Sequence, residues 1–131
     1  MSIRRCIPVI VCAAVCAVGL SSCFLFPNHP PVAAFVAHYN VDPEDPMVVN
    51  LDASGSTDPD GDTIVQFQWA FVDGDLTVVE PAASSAATSA PRLLVRCPYE
   101  GTYTVTLVVW DAQGLASAPV TSTITVPQPL P

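Results

Sequence analysis

The chain of 131 residues reads as an all-β protein, a seven-stranded antiparallel β-sandwich. Three observations point there: short runs with period-two alternation of apolar and polar side chains, dense Pro, Gly, Asp and Asn punctuation between the runs, and no amphipathic helical stretch between residues 31 and 126. Alternation at period two buries one face of a strand and leaves the other wet, so two sheets must close on each other.

Taken in order, the expected strands are Val32 to Ala37, Met47 to Asp52, Ile64 to Phe71, Leu76 to Glu80, Arg92 to Cys97, Thr102 to Trp110 and Val120 to Val126. The proline-rigid, acidic Asp42-Pro-Glu-Asp-Pro46 reads as the first turn. Asp58-Pro-Asp-Gly61 reads as a type I turn, with Asp, Pro and Gly where side-chain capping, a preset φ and steric freedom are wanted. The Ala- and Ser-rich segment from Pro81 to Pro91 carries neither a strand nor a helix signal and is expected to loop. Val65, Phe67, Trp69 and Phe71 share one face, as do Tyr103, Val105, Leu107 and Val109, and Val120, Ser122, Ile124 and Val126. These faces are the expected core. In Arg92 to Cys97 the same alternation turns Leu93, Val95 and Cys97 inward and the arginines outward.

The ends are a different kind of sequence. Arg4 and Arg5 precede an apolar run from Ile7 to Leu20, which is shorter than the roughly 20 residues of a membrane-spanning helix and reads as a cleaved secretion signal over residues 1–22. Leu20-Ser21-Ser22-Cys23 looks like a bacterial lipobox, in which small residues admit the peptidase and the Cys23 thiol takes the lipid. With Phe24 rather than Asp after it, the outer membrane is the expected address. Residues 23–30 then form a short tether, residues 31–126 the domain, and residues 127–131 a proline-rich tail.

Of the five cysteines, Cys6, Cys12 and Cys16 leave with the signal and Cys23 is the acyl site, so Cys97 stands alone and is expected to be a small core residue. There is no lysine, and past the signal only Arg92 and Arg96 oppose twelve acidic residues. Such a surface repels polyanions, which argues against nucleic acid as a partner. His29 and His38 lack a nucleophile partner, and no phosphate loop or zinc spacing occurs, so catalysis is not expected.

The segment Leu51-Asp-Ala-Ser-Gly-Ser-Thr-Asp-Pro-Asp-Gly-Asp62, followed later by Gly101-Thr-Tyr-Thr-Val-Thr-Leu-Val-Val-Trp-Asp111, resembles the PKD (polycystic kidney disease) domain. The resemblance implies an immunoglobulin-like sandwich that serves as a spacer, adhesion or binding module and is not itself an enzyme. The central block, Trp69-Ala-Phe-Val-Asp-Gly74, departs from the family's usual Trp-Asp-Phe-Gly-Asp-Gly but keeps its Trp, its Phe and the closing Asp-Gly turn.

Two readings of the acidic turn stay open: turn chemistry alone, or calcium. Calcium wants six to eight oxygens. An immunoglobulin-like topology would gather Asp58, Asp60 and Asp62 with Asp111 and Asn28 at one end, and some PKD-like domains bind calcium there. An EF-hand does not explain the spacing, because its sixth position would be Thr63 instead of Gly and its twelfth Trp69 instead of Glu. A second candidate surface is an outward patch of Val108 and Trp110 with Gln66 and Gln68 alongside, suited to a protein anchor or to stacking on sugar. The expected function is a lipid-anchored envelope module making protein contacts. The alternative is a calcium-stabilised, carbohydrate-associated adhesion or accessory domain.

Overall fold

A computed structural model of the chain describes residues 27–72, 76–80 and 87–127. The expected signal over residues 1–22, the expected acyl site Cys23, Phe24 to Phe26, Asp73 to Asp75, Pro81 to Ala86 and residues 128–131 lie outside the described residues.

All seven expected strands are present, with a two-residue eighth: β1 (Val36–His38), β2 (Val48–Asp52), β3 (Ile64–Phe71), β4 (Thr77–Glu80), β5 (Ala87–Thr88), β6 (Arg92–Arg96), β7 (Gly101–Asp111) and β8 (Val120–Val126). They form two four-stranded sheets, ordered β1-β2-β6-β4 and β5-β3-β7-β8, and every pairing is antiparallel. The protein is an immunoglobulin-like β-sandwich.

Four local expectations are corrected. The first strand is shorter and later, because Val32 forms only an isolated bridge with Thr57 and the ladder starts at Val36. Pro30 and Pro31 have no N–H to offer, and the Ser56 hydroxyl takes both Ala34 backbone groups at 3.0 Å, so a side chain satisfies what a ladder would have. The 81–91 segment contains β5, whose Ala87 and Thr88 pair with Gln68 and Phe67. Two residues are too few to show a period, and alanine has little β-propensity.

Val65 points outward and is 45% exposed, since a β-bulge between Ile64 and Gln66 inserts it as an extra residue and Ile64 takes the inward place. Ser122 lies on the inward face of β8, opposite buried Val105, yet it is exposed because β8 is an outer strand that the opposite sheet does not fully cover.

Between the sheets, Val49, Leu51, Leu93, Val95, Val105, Leu107, Val109 and Ile124 are wholly excluded from solvent, and Trp69 is nearly so. Fully burying each large side chain is worth roughly 1.5–3 kcal/mol. Phe35 meets the Trp69 ring edge to face at 5.2 Å and 80°. Cys97 is fully buried among these residues, and desolvation pushes its thiol up to about 11.

On β7 the buried Tyr103 hydroxyl donates to the Tyr99 carbonyl at 2.6 Å and accepts from the Tyr99 N–H at 3.1 Å. This is the tyrosine corner of immunoglobulin-like sandwiches. The two arginines of β6 are both tied across the outer face of their sheet, Arg92 to Asp52 at 2.9 Å and Arg96 to Asp45 at 2.6 Å.

Candidate functional site

Three loops meet at one end of the sandwich: the segment entering the domain, the acidic turn between β2 and β3, and the turn after β7. The acidic turn forms for the local reasons its sequence suggests. The Asp58 carbonyl accepts from Gly61 N at 3.2 Å, and Asp58 Oδ1 accepts from Asp60 N at 2.8 Å and from Asp62 N at 3.3 Å. Gly61 sits at φ 81°, where a Cβ would be strained.

Turn capping occupies only one carboxylate oxygen of Asp58. The other, Oδ2, is buried without a hydrogen-bond partner. The carboxylates of Asp58, Asp60 and Asp62 offer oxygens that all lie within 4.8 Å of one another. Calcium–oxygen bonds run about 2.3–2.6 Å, so two ligands on opposite sides of the ion stand about 5 Å apart, and the cluster matches that span.

Asp111 is not among the three carboxylates grouped within that distance. It is 1% exposed and works mainly as a joint. Its Oδ1 accepts from Leu115 N at 2.8 Å, closing the turn after β7, while its Oδ2 accepts from Asn28 Nδ2 at 2.8 Å. Burial pushes the Asp111 carboxyl up, but the hydrogen bonds from Asn28 and from the backbone of Leu115, Gln113 and Gly114 together leave it below the usual carboxylate range.

Asn28 Oδ1 is a second buried oxygen without a partner, and the third such polar atom among the described residues, Trp69 Nε1, belongs to the core. The next residue, His29, carries no sequence signal that ties it to this end. Its backbone N–H donates to Asp60 Oδ2 at 2.6 Å, and its Nδ1 lies 3.0 Å from Asp60 Oδ1. These two contacts hold the Asp60 carboxyl below its ordinary range, the backbone hydrogen bond more than the ring. No motif marks a histidine thirty-one residues before the carboxylate it meets; only the fold brings them together.

Beside the cluster lies an open groove of about 420 Å³, with Phe67, Ile64 and Pro91 as its apolar lining and Asp58, Asp62 and Ser56 as its polar one. At the second candidate surface, Gln66 pairs with Trp110 and Gln68 with Val108 in the β3–β7 ladder. Gln66 and Gln68 are exposed, whereas Val108 and Trp110 are half-buried. Trp110 also bridges to Ala116, so the turn after β7 crosses beside it. Cys23, the expected acyl site, lies outside the described residues.

The fold and this end define a class: an immunoglobulin-like sandwich with an acidic, loop-built pole, of the kind that serves as a non-catalytic binding or structural module. The chain belongs to the PKD domain family, whose profile matches residues 28–126. It is similar to the crystal structure of the PKD1 domain of Vibrio anguillarum Epp, with a TM-score of 0.56 and 26% identity over 79% of this chain and 100% of that one. A structure described as that of promiscuous carbohydrate-binding modules of the β-sandwich superfamily matches with a TM-score of 0.56 and 32% identity, over 76% of this chain and 35% of that one. The PKD1 domain from the Vibrio cholerae metalloprotease PrtV shares the fold, with a TM-score of 0.54 and 24% identity over 76% of this chain and 100% of that one. No curated protein matches the chain.

Proposed function

We propose that this chain is a lipid-anchored module of the bacterial envelope, held on the outer membrane through acylated Cys23, braced by calcium at its acidic pole, and engaged in contacts with other envelope proteins. The observation that carries this reading is the pinning of the entering segment: Asn28 is bonded to Asp111 and His29 to Asp60. Four residues lie between Cys23 and Asn28, and the five residue steps, at about 3.3 Å each, span at most about 17 Å. A domain tethered so briefly, and at that pole, holds Asp58, Asp60 and Asp62 toward the bilayer. The β-sheet faces and the opposite end remain for partners. Two acyl chains make such attachment durable, because each buried methylene contributes about 0.8 kcal/mol.

Calcium fits the residues present. Asp58 Oδ2 would hold it with the carboxylates of Asp60 and Asp62, and Asn28 Oδ1 is a further oxygen at the same end in want of a partner. The ion would neutralise charge on the three carboxylates and would tie the acidic turn to the entering segment.

Three measurements test the reading. Palmitate labelling should be lost in Cys23→Ala; retained label would remove the lipid anchor. Thermal unfolding should shift upward in millimolar calcium against chelator, by about 2.7 kcal/mol of stability when the ion is at a hundred times its Kd, and Asp58→Asn should abolish the shift. An unchanged melting temperature would remove calcium. Crosslinking in intact cells should recover envelope proteins.

A second reading has its own support, the 32% identity to a structure of carbohydrate-binding modules. On that reading the chain is a calcium-stabilised, carbohydrate-associated adhesion or accessory domain, with Trp110, Val108, Gln66 and Gln68 as its surface. Recovery of glycans instead of proteins in the same crosslinking experiment, lost in Trp110→Ala, would favour it.

A further inference from the structure

Each sheet ends in two outer strands, and those of this protein differ sharply. β1 has three residues, β5 two and β4 four, whereas β8 has seven. Among the described residues β8 pairs with β7 alone, so one long edge of Val120–Val126 carries unpaired backbone groups. Soluble proteins usually blunt such an edge with a charge, a bulge or an internal proline. Val120-Thr-Ser-Thr-Ile-Thr-Val126 has no charge and no proline, and its register with β7 is unbroken.

Which groups face the open edge follows from the ladder. The Thr104 carbonyl accepts from Val72 N, toward β3, while the Val109 carbonyl accepts from Ser117 N, on the opposite side. Backbone groups alternate sides along an antiparallel strand, so the odd-numbered residues of β7 face β8. Tyr103 pairs with Ile124 and Val105 with Ser122, so Ile124 and Ser122 bond to β7. The N–H and C=O groups of Thr121, Thr123 and Thr125 therefore point off the sheet.

We infer that two copies of this chain pair edge to edge through β8, antiparallel about a two-fold axis at Thr123, and so join their β5-β3-β7-β8 sheets into one. The sequence of the strand is complementary to itself in that register alone. Thr123 meets Thr123 of the second copy and Thr121 meets Thr125, so every outward donor and acceptor of the three threonines finds a match. Pro119 meets Pro127 just beyond, where neither has an N–H to contribute. A slip by two residues in either direction sets a proline against Thr121 or Thr125 and loses a donor.

The side chains agree with the backbone. On the β7 side, Thr102 and Thr125 hydroxyls are already bonded at 3.0 Å and Thr106 and Thr121 at 2.9 Å. The same threonine pairing would extend across the axis.

Charge supports a second copy as the occupant, although the chain as a whole is strongly acidic. β3, β5 and β8 contain no charged residue and β7 only the buried Asp111 at its end. The acidic load lies on the other sheet and on the loops, so two copies meet along a neutral line. What long-range repulsion remains is screened by salt.

The test uses the full chain in detergent, sized by sedimentation over a dilution series, with amide hydrogen exchange read at Thr121, Thr123 and Thr125. The expected result is a monomer–dimer equilibrium, strengthened by salt, in which those three amides become protected as concentration rises. Thr123→Lys, which sets two like charges directly opposite each other, should stay monomeric with its melting temperature nearly unchanged. A wild-type chain that is monomeric throughout would overturn the inference. So would a dimer whose Thr121, Thr123 and Thr125 amides exchange as fast as in the monomer, or a folded Thr123→Lys that still dimerises. The exchange measurement needs no variant, so the inference stays refutable even if Thr123→Lys fails to fold.

Discussion

Replacing Tyr103 by Phe isolates one oxygen in the fold. The ring stays in its cavity, since Tyr103 is only 5% exposed, and the hydrophobic contribution is kept. Lost are a hydrogen bond to the Tyr99 carbonyl at 2.6 Å and another from the Tyr99 N–H at 3.1 Å. A typical intramolecular hydrogen bond contributes a net ~0.5–1.5 kcal/mol, so the pair is worth about 1–3 kcal/mol. Both of these hydrogen bonds are partly buried.

For a domain of roughly 100 residues each kcal/mol moves the melting temperature by about 4 °C or somewhat more, so Tyr103→Phe should melt some 4–12 °C below the parent. Circular dichroism melts, together with urea unfolding at constant m-value, measure this directly. A shift below about 2 °C would refute the reasoning, because it would mean that Tyr99 regains both partners elsewhere and that the corner adds nothing to stability.

Trp69→Ala removes the largest buried side chain and the edge-to-face partner of Phe35; large-to-small changes of this kind cost about 3–5 kcal/mol, comparable with the whole stability of a small domain, so loss of the cooperative melt is expected. Cys97 should resist thiol reagents at neutral pH until the chain is denatured, since it is buried and its thiol is held up at about 11; rapid labelling of the native protein would contradict that placement. Acid should destabilise the fold over a defined range. Asp52 is held down at about 2 by hydrogen bonds from Ser54 and by Arg92, and Asp45, Asp60 and Asp111 are also depressed. A depressed carboxyl stabilises the fold above its unfolded pKa near 3.8, and that contribution is lost as pH falls through the folded value, so melting temperature should drop between about pH 4 and pH 2. Asp52→Asn should flatten the drop, and an unchanged slope would show that Asp52 does not contribute to it.

Much of this fold is legible in the chain because its signals are local. Alternation over a few residues is enough to locate β2, β3, β6, β7 and β8, to turn Trp69, Leu107 and Cys97 inward, and to identify Asp58-Pro-Asp-Gly61 as a turn. The immunoglobulin-like arrangement follows once those strands are recognised as a family pattern. The departures occur where a residue's place depends on something distant in sequence. Val65 follows the alternation perfectly and still points outward, because the bulge that displaces it is defined against β7. Ala87 and Thr88 have no strand signal of their own and are ordered by the edge of β3. Ser122 is on the expected face but lacks the expected cover, which the opposite sheet would have had to supply.

The acidic pole divides in the same way. The composition and spacing of Asp58, Asp60 and Asp62 are enough to place three carboxylates on one tight turn, because a turn is a local object and its geometry follows from φ preferences and side-chain capping. Only the packed sandwich decides that Asp58 keeps one oxygen buried and unpaired, that His29 rather than Asp111 closes on Asp60, and that Asp111 spends its carboxylate joining Asn28 to the turn after β7. Those are contacts between segments tens of residues apart, set by which loops the strand order brings to one end. The same division holds for β8: its neutral, threonine-rich sequence is plain to read, but that its backbone faces outward at Thr121, Thr123 and Thr125 is a property of the sheet.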